Sequence, residues 1–270
     1  VRSIRHLAPA TDGTLIFSGL GQLWRKTGDA APTKLSPADN FAFDPKVSAD
    51  DTSLVYIDWS DQHGSTLKIA RGNGQGARTV TSSPGIIRQP SLSPDGKSVV
   101  FRIQEPDVNM GGARAKPGIY VVPTAGGTPR FVTTGDDAPI FSPDGQRIYF
   151  LRTARPGDSP AQALWSVNLD GLDPREHARS PDADTTELRI SPDLRWIAFK
   201  DRQQVNVLPY LETGRPLIIS ARSTEAAVHA LTDKGGYALA WSPDSKTLYW
   251  SLGADLYRYE AIQVQVSRLR

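Results

Sequence analysis

One short phrase recurs along this chain: a small residue, proline or alanine, aspartate, a turn residue, and then an apolar run. It reads Ser93-Pro94-Asp95-Gly96 before KSVVF, Ser142-Pro143-Asp144-Gly145 before QRIYF, Ser191-Pro192-Asp193-Leu194 before RWIAF, and Ser242-Pro243-Asp244-Ser245 before KTLYW. Two degraded copies come earlier, Ser48-Ala49-Asp50-Asp51 before TSLVYI and Thr11-Asp12-Gly13 before TLIF. The aspartates fall at 12, 50, 95, 144, 193 and 244, so successive copies are 38, 45, 49, 49 and 51 residues apart. A repeat of about 40–50 residues is the length of one four-stranded propeller blade. Six copies therefore predict an all-β chain, a six-bladed β-propeller, with blades near 1–38, 39–82, 83–134, 135–181, 182–232 and 233–270.

The chemistry of the phrase explains its recurrence. Proline presets φ for the first central turn position, the carboxylate accepts backbone N–H groups just beyond it, and glycine supplies the positive φ that closes a tight hairpin. Asp12, Asp50, Asp95, Asp144, Asp193 and Asp244 are accordingly read as structural turn residues rather than as metal ligands or acids. A third strand is expected in each unit, at QLWRK, TLKIA, GIYVV, ALWSV, VNVLP and DLYRY. Glycine hairpins at Gly28, Gly74 with Gly76, Gly126 with Gly127, Gly171 and Gly214 lead to short fourth strands. The last unit has Ala261-Ile262 in place of such a glycine, so it is expected either to lack a regular fourth strand or to borrow closure from upstream residues.

Composition narrows the function classes. The 21 prolines and 23 glycines fall between short alternating runs, a pattern of hairpins rather than helices. A net charge of +2 with scattered basic residues lacks the stripe that neutralises phosphates, so no nucleic-acid partner is expected. The chain has no cysteine, which excludes disulfides and thiolate chemistry and fits a cytoplasmic or periplasmic protein equally. No apolar run reaches the roughly 18 residues of a membrane span. Val1-Arg2-Ser3 neither supplies a starting Met nor opens a signal peptide, so the chain is expected to be a piece of a longer one.

These residues carry a resemblance. The SPDG phrase, its aromatic-rich strand and the L-W/Y third strand resemble the repeat of TolB-type propellers, over almost the whole chain. Residues 187–200, ELRISPDLRWIAFK, and 241–257, WSPDSKTLYWSLGADLY, resemble more closely the propeller that precedes the catalytic domain in amidohydrolase-related bacterial proteins. That likeness implies a metal-dependent hydrolase barrel elsewhere in the parent chain, with its divalent metal bound there. The four histidines, His6, His63, His177 and His229, form no His-x-His pair, so a structural role is expected for each and no metal or cofactor is expected in this chain. There is no G-x-S-x-G nucleophile elbow. The run Gly72-Asn73-Gly74-Gln75-Gly76 lies between two expected strands with no helix to follow, so it reads as a hairpin tip rather than a phosphate cradle. The six tryptophans sit mostly on strands and are read as packing.

Two regions are left for function. The face opposite the SPDG turns is expected to carry every long insertion, at 58–65, 104–116, 153–162, 180–185 and 221–235, which either dock a partner or a neighbouring domain or are tolerated surface excursions. The channel mouth is expected to present Arg5, Asp44, Arg88, Asp137, Glu187 and Tyr237, either as a solvated structural ring, the preferred reading, or as a set that holds a small polar ligand or salt-bridges across the axis. No catalytic residue is assigned. The expectation is a non-catalytic scaffold, docking or access domain of an amidohydrolase-like protein, partnered by a catalytic domain of the same polypeptide or by a separate protein. The alternative is a stand-alone interaction module of the bacterial envelope, which would place it outside the cytoplasm.

Overall fold

In a computed structural model the chain describes residues 4–35, 41–62, 64–83, 85–104, 116–153, 162–182, 184–261 and 265–269. Six small sheets stand in a ring. Blade 1 holds β1 (Arg5–Pro9), β2 (Leu15–Gly19), β3 (Gln22–Lys26) and β4 (Thr33–Lys34). Blade 2 holds β5 (Phe41–Val47), β6 (Ser53–Ser60), β7 (Gly64–Arg71) and β8 (Arg78–Ser83). Blade 3 holds β9 (Ile86–Leu92), β10 (Ser98–Gln104), β11 (Gly118–Pro123) and β12 (Arg130–Thr133). Blade 4 holds β13 (Asp137–Phe141), β14 (Arg147–Thr153), β15 (Gln162–Asn168) and β16 (Arg175–Ser180). Blade 5 holds β17 (Thr185–Ile190), β18 (Trp196–Asp201) and β19 (Gln204–Pro209), with β20 (Leu217–Ile218) and β21 (His229–Ala230) following. Blade 6 holds β22 (Tyr237–Trp241), β23 (Thr247–Leu252), β24 (Asp255–Glu260) and β25 (Gln265–Leu269).

The repeated phrase builds the first hairpin of each blade. In the five copies that begin with serine, the serine Oγ donates to the aspartate at 2.5–2.6 Å and accepts the backbone N–H five residues on at 2.9–3.0 Å. All six aspartates accept the N–H two residues further, at 2.8–3.2 Å. Left-handed backbone follows at Gly13, Gly96 and Gly145, and at Asp51, Leu194 and Ser245 the same conformation is held by a residue other than glycine. The side-chain bonds stand in for the conformational freedom that glycine would supply.

There is no central core. Six apolar clusters lie one at each junction between blades, and every second strand sends one large aromatic ring into them: Phe17, Tyr56, Phe101, Phe150, Phe199 and Trp250, none more than 6% exposed. Period-2 alternation along a strand puts one row of side chains on each neighbouring blade, so both rows are apolar.

Three expectations are corrected. Blade 6 has its own fourth strand, with β25 antiparallel to β24 from Leu256↔Leu269 to Glu260↔Gln265. The ring closes by packing of β1 against β22 and by a bond from Ser251 Oγ to the Ile4 carbonyl at 3.3 Å, with no strand borrowed across the junction. Gly214 does not close a tight hairpin: the chain leaves β19, adds β20 in parallel to the outer edge of blade 4, and only then returns as β21. Residues 58–65 are no insertion, since β6 and β7 stay paired from Ser53↔Arg71 to Ser60↔Gly64. The insertions expected within 105–115 and 154–161, and His63, lie outside the described residues. The 72–76 run is a hairpin tip, with Arg71 N–H on Gln75 O at 2.9 Å and Gln75 N–H on Asn73 Oδ1 at 3.0 Å.

Candidate functional site: the axial channel

A cavity of about 980 Å³ runs along the axis, walled by the six innermost strands β1, β5, β9, β13, β17 and β22. Each of these strands breaks register once, at a two-residue bulge: His6-Leu7, Asp44-Pro45, Gln89-Pro90, Ala138-Pro139, Glu187-Leu188 and Ala238-Leu239. The first residue of every pair is left-handed, with φ between 49° and 58°. Such a bulge re-aims its side chain out of the pleat. Three prolines occupy second positions, where the ladder needs no N–H.

The re-aimed side chains link successive blades. Asp44 accepts the Gln89 N–H at 2.9 Å, Gln89 Oε1 accepts the Ala138 N–H at 3.2 Å, and Glu187 accepts the Leu239 N–H at 3.2 Å. Ala138 and Ala238 cannot extend the series. The junction of blades 4 and 5 is spanned instead by Arg189 Nη1 on Asp137 at 3.0 Å, and the junction of blades 6 and 1 by the Ser251 bond to Ile4.

Five of the six channel-mouth residues fall into three groups, and the sixth, Arg5, stands apart. Asp44, buried, takes Arg88 Nε at 2.7 Å and lies 3.2 Å from His6 Nε2. Burial pushes its carboxyl up, but His6 and Arg88 outweigh that and hold it below the usual range. His6, bonded to Ser18 Oγ at 2.7 Å, is itself pushed down by burial against the pull of Asp44. Asp137 accepts from the Gln89 amide and from Arg189, and these with Arg102 keep it ionised despite burial. Glu187 takes Lys200 Nζ at 3.0 Å, and that ammonium lies 4.2 Å from the Tyr237 ring centroid. Tyr237 donates its hydroxyl to Gln203 Oε1 at 2.7 Å. Arg5 stands exposed at the rim.

Sequence reasoning missed His6, Gln89, Lys46, Arg189 and Lys200. A signal was available for four of them. The left-handed residue always stands four positions before the first residue of the phrase (Ala10 in blade 1), and a further lumen position stands two before it. At that second level stand Ala8, Lys46, Ser91, Ile140, Arg189 and Ala240, paired in matching register to the second strands; all but Ala8, which is buried at the junction of blades 1 and 2, line the cavity. Lys46 on blade 2 and Arg189 on blade 5 face one another across the axis. Burial and that guanidinium together push the Lys46 ammonium down to about 8.

Among the described residues no three His, Cys, Asp or Glu side chains could hold a metal ion, and no helix is long and apolar enough to cross a membrane. His177 is buried far from the axis, between Ser166 Oγ at 2.7 Å and the Tyr210 hydroxyl at 3.0 Å.

The architecture is thus a six-bladed β-propeller of the kind seen in TolB structures. Over its full length the chain is similar to a protein provisionally assigned as TolB from Agrobacterium tumefaciens, with 22% identity, 91% of that chain covered and a TM-score of 0.66. For TolB from Acinetobacter baumannii the identity is 16%, the coverage 98% of this chain and 63% of that one, and the TM-score 0.67. A gluconolactonase from Xanthomonas campestris is similar at 17% identity over 95% of this chain and 85% of that chain, with a TM-score of 0.67. Likeness at these identities establishes the fold. No family model and no curated protein sequence matches the chain.

Proposed function

We propose that this propeller is a non-catalytic docking module that receives a protein partner on the face around the channel mouth, and that it uses no cofactor. The observation that carries this is Leu20. It sits at the tip of the β2–β3 turn, 76% exposed, with φ 54°, and Gly21 beside it has φ 73°. Two successive positive φ values make a turn that favours Asn-Gly. A leucine there costs the isolated fold twice, through left-handed strain of roughly 1 kcal/mol and through apolar surface left in water. Phe41, 59% exposed, lies over Gly21, so that a Cβ on Gly21 would fall 2.5 Å from Phe41 Cδ1. With Tyr237, 46% exposed, these side chains follow an arc over blades 6, 1 and 2 on one face. Apolar patches maintained against water on a rigid scaffold mark interaction sites. The TolB-like fold supports the same reading.

The partner on this reading is a separate protein or another part of the same polypeptide. An amidohydrolase domain is one form of the latter, and it rests on the sequence resemblance alone. A photo-cross-linking residue at position 20 should capture one defined partner in the native host, and the same residue at position 172, on the opposite face, should not. Leu20→Asn should abolish that association while raising stability by about 1 kcal/mol, because Asn suits the left-handed turn. Equal capture from positions 20 and 172, or a Leu20→Asn protein that loses stability, would overturn the reading.

A further inference from the structure

We infer that the channel is also a binding site for a small organic carboxylate with an apolar body, its anionic head held between Lys46 and Arg189. This goes beyond docking on the rim and is independent of it. At the level of these two cations three other strands line the cavity with Ser91, Ile140 and Ala240, while Ala8, at the equivalent register position of β1, is buried at the junction of blades 1 and 2. None of the six is acidic. Two of the three neutral lining residues are small, which leaves room around the axis, and Ile140 supplies an apolar wall. Lys46 makes no hydrogen bond or ion pair among the described residues. Arg189 uses only Nη1, for Asp137 at 3.0 Å and the Leu188 carbonyl at 2.8 Å, so Nη2 and Nε stay available.

The nearby acids are already engaged. Asp44 is held by Arg88 and His6, Asp137 by Arg189 and Gln89, and Glu187 by Lys200 and the Leu239 N–H. Below the rim, where Arg5 stands exposed, Lys46 is therefore the cation left without a counter-charge among the described residues that line the cavity. An ammonium so placed, with water partly excluded, attracts an anion more strongly than it would on the surface. The facing guanidinium offers the planar fork that suits a carboxylate. One uncompensated charge selects a monoanion over a multiply charged phosphate. Ala138, Ile140, Leu92 and Ala238 line the lumen for the apolar remainder.

Titration calorimetry on the intact chain tests this with benzoate, hexanoate, neutral benzamide and inorganic phosphate at pH 7. Benzoate or hexanoate should give saturable binding, benzamide none, and phosphate weaker binding than either carboxylate. Lys46→Met should weaken carboxylate binding at least tenfold, while Lys97→Met, a control on the SPDG face, leaves it unchanged. A thermal melt of Lys46→Met at or above the wild-type value shows that the loss is not unfolding. Failure of both carboxylates to bind, equal affinity in wild type and Lys46→Met, or tighter binding of phosphate would each overturn the assignment.

Discussion

Lys46 offers a direct measure of how the fold treats an unpaired charge. A lysine in an unfolded chain titrates near 10.4, whereas burial and the facing Arg189 bring Lys46 to about 8. Each pH unit between the two states is worth about 1.4 kcal/mol, so charging this amine opposes folding by about 3 kcal/mol. Water in the open channel screens part of that and leaves about 1–2 kcal/mol as the net cost at pH 7. Lys46→Met keeps the packed stem and removes the charge. It should therefore stabilise the protein by about 1–2 kcal/mol, which raises Tm by roughly 3–6 °C for a domain of this size.

The pH dependence makes the test specific. A group whose folded value is depressed contributes stability that is complete above its unfolded value and lost as pH falls through the folded one. The advantage of Lys46→Met should be largest below pH 8 and vanish above about pH 10, where Lys46 is neutral in both states. Of the groups around it, Asp44 and Asp137 are held below the usual carboxylate range, Arg88 is pushed up and His6 is pushed down by burial, so all four move away from that window; Glu187 and Arg189 also line the cavity. Urea midpoints at pH 7 and pH 10 for both proteins give the difference. A variant no more stable than wild type at pH 7, or an advantage equal at both pH values, would refute the reasoning.

Two further outcomes follow from buried polar groups. Ser142→Ala removes both the donor to Asp144 and the acceptor of the Arg147 N–H in a buried turn, and should cost about 1–2 kcal/mol in the urea midpoint; a neutral result would mean that the repeated serine does not set the turn. His177, pushed down by burial among Ser166 and Tyr210, contributes stability that is complete above pH 6.5 and lost as pH falls through its lowered value. His177→Gln should flatten the acid slope between pH 7 and 5, which for one proton is at most about 1.4 kcal/mol per pH unit, and an unchanged slope would assign the acid loss to other groups.

Fold and site differ in how far they could be read from the residues. The blades were legible because turn chemistry is local: serine, aspartate and the N–H groups they bind lie within five residues, so each copy carries its own explanation. Fourth strands were legible at the glycine hairpins of blades 1 to 4, and opaque at 210–228, where Gly214 closes no hairpin, and after Ala261, where pairing at the blade's outer edge decides the path. The channel residues were only half legible. Strict alternation assigns every second side chain to one neighbouring blade, and Arg5, Asp44, Arg88, Asp137, Glu187 and Tyr237 could be placed near the mouth on that basis. The left-handed bulge interrupts the alternation inside each innermost strand, so a count along the strand does not tell which of its side chains reach the lumen.

That bulge also joins stability to function. Holding six residues other than glycine at positive φ costs roughly 1 kcal/mol or more at each, and the cost is met only where the re-aimed side chain finds a partner. Asp44, Gln89 and Glu187 find one in a backbone N–H of the next blade. Ala138 and Ala238 find none, and the junctions after them rest on Asp137–Arg189 and on Ser251. Arg189 is thus committed through one nitrogen to holding blades 4 and 5 together, with the rest of its guanidinium left in the lumen opposite Lys46. An anion bridging those two residues would tie blade 2 to blade 5 across the axis, a link that the strands themselves do not make. Carboxylate binding should therefore stiffen the ring as a whole, and the stability that Lys46→Met gains in the free protein should be matched or exceeded in wild type once the channel is saturated.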